Sequence, residues 1–406
     1  MIYNTCATIF NSALPLVGKY SQHHKTWVNG IYESVEKLKN TDFSNEDWYW
    51  FHAASLGEFE QAVPLIEALK NKKKIKIAVS FFSPSGYEQK KNHKLIDFVF
   101  YLPIDTYDNA LLVINKLQPK KIFFVKYEFW NNYFKVINEN KIPFYLVSAA
   151  FREDHIFFKN YGIFFKKMLH KVSHFFVQNK ISRDLLKKEG FINVSISGDT
   201  RFDRVYKQLS MDNRLDFIEN FIENRTTVVL GSTWADCENV VIDAINKAPE
   251  NTCFIIAPHQ IKPEKIAALT EKIKVKTQLF SKGEINATAK VLIVDAIGYL
   301  SKIYSYADIA YVGGAIGTTG LHNILEPAVF GMPILTGPNV EKFPEAYNLR
   351  DFGGLKIINT SQEFKQILFE LLENKVLRNQ MSTASEKFIS TQIGATKTVM
   401  DYLENN

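Results

Sequence analysis

The run GGAIGTTGLHNILEPAVFGMPILTGP, Gly313 to Pro338, decides the fold. It reads as a strand over 308–312, a glycine-rich turn, a short helix opening near His322-Asn323, and a second strand over 333–336 that ends in Gly-Pro. Glycines let backbone N–H groups approach an anion, and a helix N-terminus adds partial positive charge. Glu326, expected one turn inside that helix, is placed to accept hydrogen bonds from ribose hydroxyls. Together these features suit a nucleotide-sugar donor.

Outward from this unit, strands and helices alternate along the whole chain. In the first half, short apolar runs predict strands over 48–52, 75–80, 98–102, 121–125, 144–147, 174–177 and 194–197. Helical patterns such as 58–70 and 109–117 lie between them. A second series runs over 227–230, 253–257, 291–294, 308–312 and 333–336, and the last 45 residues read as helical. The strands lack polar alternation, as expected where both sheet faces are covered. The fold class is therefore α/β, with two Rossmann-like, doubly wound parallel sheets facing a central cleft. Its predicted divisions are an apolar, interfacial segment at 1–30, a first domain at 31–205 and a second at 206–406 that carries the C-terminal helices.

Composition narrows the class. At 406 residues the chain suits two domains. The cysteines, Cys6, Cys237 and Cys253, have no CxxC spacing. Neither a disulfide framework nor a zinc site is indicated, and a reducing compartment fits. Residues 1–205 hold 29 Lys+Arg against 20 Asp+Glu, whereas 206–406 hold 20 against 23. A basic first half fits a polyanionic partner, although a lysine-rich proteome with solvated lysines accounts for it equally. Residues 6–18 are too short for a spanning helix and lack the features of a secretory signal. They read as an interfacial anchor or as a helix docked on the protein body. Residues 156–176 interleave phenylalanines with Lys159, Lys166, Lys167 and Lys171. They read as a basic amphipathic helix for an anionic membrane, or as an ordinary core-facing helix. Nucleic acid is not an expected partner, since no fold signature for it accompanies the patch.

The first strand-end turn, His52-Ala53-Ala54-Ser55-Leu56-Gly57-Glu58, places Ser55 and Gly57 at a site mouth and Glu58 at a helix start. A helix N-terminus would keep the Glu58 carboxylate ionised and ready to take a proton. The alternative is a plain helix cap.

These residues then form an ordered set: HAASLGE (52–58), KYEFW (126–130), SAAFRED (148–154), SGDTRFD (197–203), GSTWADCE (231–238), APH (257–259) and the 313–338 run. The set covers roughly 48–350 and resembles the 3-deoxy-D-manno-octulosonic-acid (Kdo) transferases of lipopolysaccharide synthesis. The resemblance implies a GT-B glycosyltransferase that is inverting and needs no cofactor or bound metal. Its donor would be CMP-Kdo and its acceptor a lipid A precursor of the lipid IVA type, at the cytoplasmic face of the inner membrane. Carried over by motif, Glu58 would be the general base. Glu128 would be a second catalytic carboxylate, with a buried structural role as the alternative. Arg152, with Ser55 and Gly57, would meet the acceptor or the Kdo carboxylate. Arg201, Gly231, Ser232, Thr233, Pro258, His259, Gly314, His322, Asn323 and Glu326 would hold the donor.

The chain departs from the family pattern in two places. Pro258-His259-Gln260 stands where many members have Pro-Arg-His, so His259 would replace an Arg only in part. The 6–18 stretch stands where members often have a membrane-spanning segment, so attachment to the membrane would be peripheral. The competing functions are a nucleotide-sugar 2-epimerase on the same fold and a non-catalytic lipid-surface binding protein.

Overall fold

The computed structural model describes every residue except Met1 and Tyr127, so that part of the KYEFW motif lies outside the described residues. Two wholly parallel seven-stranded sheets organise the chain. The first contains β1 (Trp48–Ala53), β2 (Lys76–Phe81), β3 (Phe98–Tyr101), β4 (Lys121–Val125), β5 (Phe144–Ala149), β6 (His174–Val177) and β7 (Val194–Ile196). Its order is β3-β2-β1-β4-β5-β6-β7. The second contains β8 (Thr226–Thr233), β9 (Thr252–Pro258), β10 (Thr277–Leu279), β11 (Val291–Ile293), β12 (Ile309–Val312), β13 (Ile334–Thr336) and β14 (Leu355–Ile357). Its order is β10-β11-β9-β8-β12-β13-β14.

Both faces of the first sheet are covered, which explains its unbroken apolar strands. Successive residues of β4 point to opposite faces, so Phe124 joins a core with Trp50 and Phe134 while Phe123 joins another with Phe51 and Phe59. In each sheet the winding reverses beside the first strand, between β1 and β4 and between β8 and β12. Ligands bind α/β sheets at such switch points, outside the strand C-termini.

The chain divides into one unit of residues 1–204 with 393–406 and another of 205–392. The last helix, Ala395–Asn405, therefore belongs with the first unit, whereas the sequence pattern had placed it with the second. Val399, Met400 and Leu403 complete the core beneath β1 and β4. The Asp203 carboxylate accepts the Gly394 and Thr396 N–H groups, both at 2.6 Å, and satisfies two otherwise unpaired donors at that helix start.

Other differences are local. The edge strands β10 and β14, three residues each, were not visible in the sequence because neither is a continuous apolar run. Residues 156–176 do not form one amphipathic helix. They form two 3₁₀ turns, the helix Ile163–Leu169 and strand β6. Gly162, where a Cβ would overlap the Ile156 carbonyl, stands at the junction of the second 3₁₀ turn and the helix. The N-terminal stretch is helical over Ile2–Val17, with Leu14 buried and Ile9, Phe10 and Leu16 exposed. Among the described residues no helix is long and apolar enough to cross a membrane.

Candidate functional site

At the switch point of the first sheet, β1 ends in the Ser55 turn and the helix Leu56–Lys72 begins. Glu58 closes a capping box there: its Oε2 accepts the Ser55 N–H at 2.9 Å. The cap reading is thus realised, with Oε1 left for other partners. A Cβ at Gly57 would meet nothing, so the exposed space over the helix start is open. The helix start does not hold Glu58 at a low pKa, contrary to expectation. Burial and the negative charge of Glu128 raise it, while Lys126, His52 and the Ser55 N–H pull the other way. A raised carboxyl is a stronger proton acceptor once ionised.

Glu128 follows β4, the neighbour of β1, beyond Lys126, which sits at a φ of 62°. Its Oε2 accepts the Trp130 indole N–H at 3.2 Å and lies 3.5 Å from His52 Nε2. The carboxylate is therefore partly buried and structurally anchored, yet close enough to Glu58 to shift it. Arg152 is exposed and paired on the surface with Asp154 at 3.4 Å. Arg201 lies in the first unit, and its guanidinium forks onto Asp199 at 2.9 and 2.8 Å. Asp199 also accepts the Gln61 amide at 2.8 Å.

The second unit gathers the loops after β8, β9 and β12, three adjacent strands. Ser232 sits at φ 54° where the β8–β9 register shifts, so Gly231, Ser232 and Thr233 form a kinked strand end. Gly231 has no room for a side chain against the Tyr304 hydroxyl. The Thr233 hydroxyl donates to Glu238 at 3.3 Å, and its carbonyl accepts the His259 N–H at 2.9 Å, just beyond Pro258. Gly314, at φ 95°, packs against the Gly320 carbonyl, and its N–H donates to Cys237 Sγ at 3.3 Å.

His259 does not take the place of a cation. Its ring stacks on Trp234 at 4.4 Å and lies 4.5 Å from His322, and burial lowers its pKa. His322 is pushed down to about 4 by burial and by His259. Its Nε2 accepts the Trp234 indole N–H at 2.9 Å, so the neutral ring carries its proton on Nδ1. Three rings thus make a neutral aromatic surface beside the glycine turn. Trp234 was not singled out in the sequence, although it directly follows a strand end in a polar motif.

Glu326 is the second residue of a five-residue helix, Leu325–Val329, and not a turn inside it. So short a helix contributes little dipole. Asn323, just ahead of the Ile324 N-cap, accepts the Leu325 N–H at 3.1 Å, and its amide donates to Glu326 Oε1 at 3.0 Å. Among the described residues, no group of three His, Cys, Asp or Glu side chains could hold a metal ion.

Comparison with known proteins finds a similarity to one family over part of the chain. Residues 29–204 match the family model described as 3-deoxy-D-manno-octulosonic-acid transferase (kdotransferase). A 3-deoxy-D-manno-octulosonic acid transferase of Haemophilus influenzae is 26% identical over 375 residues, spanning 88% of this chain and 87% of that protein. A bifunctional glycosyltransferase/methyltransferase of Fusobacterium nucleatum is 25% identical over 84% of this chain, which spans only 55% of its length. Among solved structures, the UDP-GlcNAc 2-epimerase of Neisseria meningitidis superposes with a TM-score of 0.64 at 15% identity, over 89% of this chain and 100% of that one. At that identity the likeness speaks for the two-domain GT-B fold alone.

The charge arrangement around Glu58 can be checked without substrate. Carbon-detected NMR titration is expected to place Glu58 above the ordinary carboxylate range. In Glu128→Gln the midpoint should move down, because one of the two causes of the upward shift is removed. An unmoved midpoint would mean that the two carboxylates do not sense each other.

Proposed function

We propose that this chain, which is similar to the Kdo transferases, moves Kdo from CMP-Kdo to a hydroxyl of a lipid A precursor in lipopolysaccharide biosynthesis. The carrying observation is the ordered motif set, with Glu58 at the β1 switch point and the glycine turn at the β12 switch point. In this reading Glu58 takes the acceptor proton as the hydroxyl oxygen attacks the anomeric carbon. The bond from that carbon to the phosphate oxygen breaks, and CMP leaves with the electron pair. One base is enough for one in-line displacement.

The second unit would hold CMP. The kinked Gly231–Thr233 strand end and the part of the glycine turn beyond Gly314, whose own N–H is engaged by Cys237, would face its single phosphate. Glu326 would accept from the ribose, and the Trp234–His259–His322 surface suits a flat base. His322 Nδ1–H would be a neutral donor, useful where a cation is absent. Glu128 would act with Glu58 by holding charge and position beside it. Arg152, once released from Asp154, would pair with an acceptor phosphate. The resemblance to an epimerase is one of fold and adds no support for epimerisation.

Attachment to the membrane is proposed to be peripheral, at the cytoplasmic face of the inner membrane. The helix Ile2–Val17 contains no charged residue and exposes Ile9, Phe10 and Leu16. Its Tyr3 ring lies 5.6 Å from Phe164, so it adjoins a second segment exposing Tyr161, Ile163 and Phe164 beside Lys159 and Lys167. Apolar groups flanked by lysines suit an anionic interface.

The reaction is tested by incubating the protein with CMP-Kdo, generated in situ, and a tetra-acylated lipid A precursor, with products read by mass spectrometry. A mass gain of one or more Kdo units is expected, and intact acceptor in the presence of bound CMP would refute the acceptor assignment. In Glu58→Gln, kcat is expected to fall by about 10²–10⁴ with CMP affinity kept. Turnover near wild type would leave Glu58 as a helix cap only. Glu326→Ala should instead weaken CMP binding measured by calorimetry.

Membrane contact is tested by co-sedimentation. Binding to vesicles containing anionic lipid should fall when Ile163 and Phe164 are both replaced by Asp, and should weaken with salt. Equal binding by the variant would reject this surface.

A further inference from the structure

Beneath the carboxylate pair lies a buried polar chain that the proposed reaction does not yet use. Trp50 and His52 are two residues apart on β1 and share a face, and Ser80 of β2 is the direct register partner of His52. All three side chains are fully buried in a core of aromatic rings. The Trp50 indole N–H donates to Ser80 Oγ at 2.8 Å, and Ser80 Oγ lies 2.8 Å from His52 Nδ1. On its other side His52 Nε2 lies 3.5 Å from Glu128 Oε2 and has no hydrogen-bond partner. Phe124 packs on the ring at 4.7 Å.

The donors and acceptors of this chain can be assigned in order. Trp50 is only a donor, so Ser80 Oγ is an acceptor from it. The Ser80 hydroxyl proton then has His52 Nδ1 as its acceptor. That nitrogen must carry a lone pair, and in the neutral ring Nε2 must carry the proton. The opposite tautomer would set the Nε2 lone pair against a carboxylate oxygen and leave the serine proton without an acceptor. Burying either arrangement costs free energy. The 3.5 Å separation is beyond a good hydrogen bond, and such contacts commonly tighten when substrate binds.

We propose that His52 is a positioning residue: held in its Nε2–H form by Ser80 and Trp50, it donates to Glu128 and fixes that carboxylate beside Glu58. The buried Nε2, aimed at Glu128 with no other partner, carries the inference. Nothing in packing alone requires a histidine here, since the face is otherwise aromatic. The role deepens the transferase reading and rests on it for its kinetic consequence, but the tautomer and the His52–Glu128 contact do not.

Two measurements test it. In the full-length protein, ¹⁵N NMR of the histidine rings is expected to show His52 protonated at Nε2 and bare at Nδ1. That pattern should be lost or mixed in Ser80→Ala. A ring protonated at Nδ1 would overturn the proposal, as would a Glu128 carboxyl resonance that does not respond to His52→Phe. In the transfer assay, His52→Phe should lower kcat by about 10–100-fold with both KM values unchanged, the scale of a misplaced reacting group. His52→Gln, whose amide N–H can replace Nε2–H, should recover most of it. Wild-type turnover in a folded His52→Phe protein, or an effect on KM alone, would also overturn it. Melting curves identify unfolded variants, for which the wild-type ring spectrum decides. If the wild-type protein transfers no Kdo, the functional reading fails while the ring spectrum still judges the His52 contact.

Discussion

Parallel strand pairing is the constraint from which the site follows. Every strand in both sheets runs the same way as its neighbours, so all strand C-termini of a sheet share one edge. Where the winding reverses, two connections leave in opposite directions and open a gap at that edge. The gap at β1 and β4 receives Glu58 and Glu128. The gap at β8 and β12 receives the glycine turn and Trp234. Within each unit the chemistry-bearing residues are far apart in sequence and near one another only because its sheet winds this way. The constraint also explains the composition: strands buried on both sides must be apolar throughout, and polar groups are confined to their ends or to paired positions such as His52 and Ser80.

Much of this is legible in the sequence. Short apolar runs locate twelve of the strands because a doubly covered strand needs no polar alternation. The HAASLGE turn is readable because Ser55 and Glu58 have capping-box spacing. Three-residue edge strands such as Thr277–Leu279 carry no such signal, since one partner strand suffices to fix them. The last helix could not be assigned to the first unit, because the Asp203 contacts that anchor it span 191 and 193 residues. The 156–176 segment misled because phenylalanine and lysine spacing imitates one long helix, whereas the helix there spans only Ile163–Leu169, with the closely packed Gly162 at its start.

Electrostatics was the least readable layer. The position of Glu58 at a helix start argues for a low pKa, but burial and a carboxylate from another strand reverse the direction. His259 in place of an Arg looks like a weakened cation, but two neighbouring rings make it part of a neutral surface. Both outcomes depend on neighbours brought in from other strands. Both also point the same way: the two switch points are lined by partly buried groups whose charge is set by enclosure, which strengthens each interaction available to a bound substrate.

The central claim is a single displacement with Glu58 as the one base. The anomeric configuration of the transferred Kdo tests it most directly, read by NMR on the isolated product. Inversion relative to the CMP-linked sugar is the result this account predicts. Retention would require two displacements through a covalent intermediate, and would contradict the role given to Glu58.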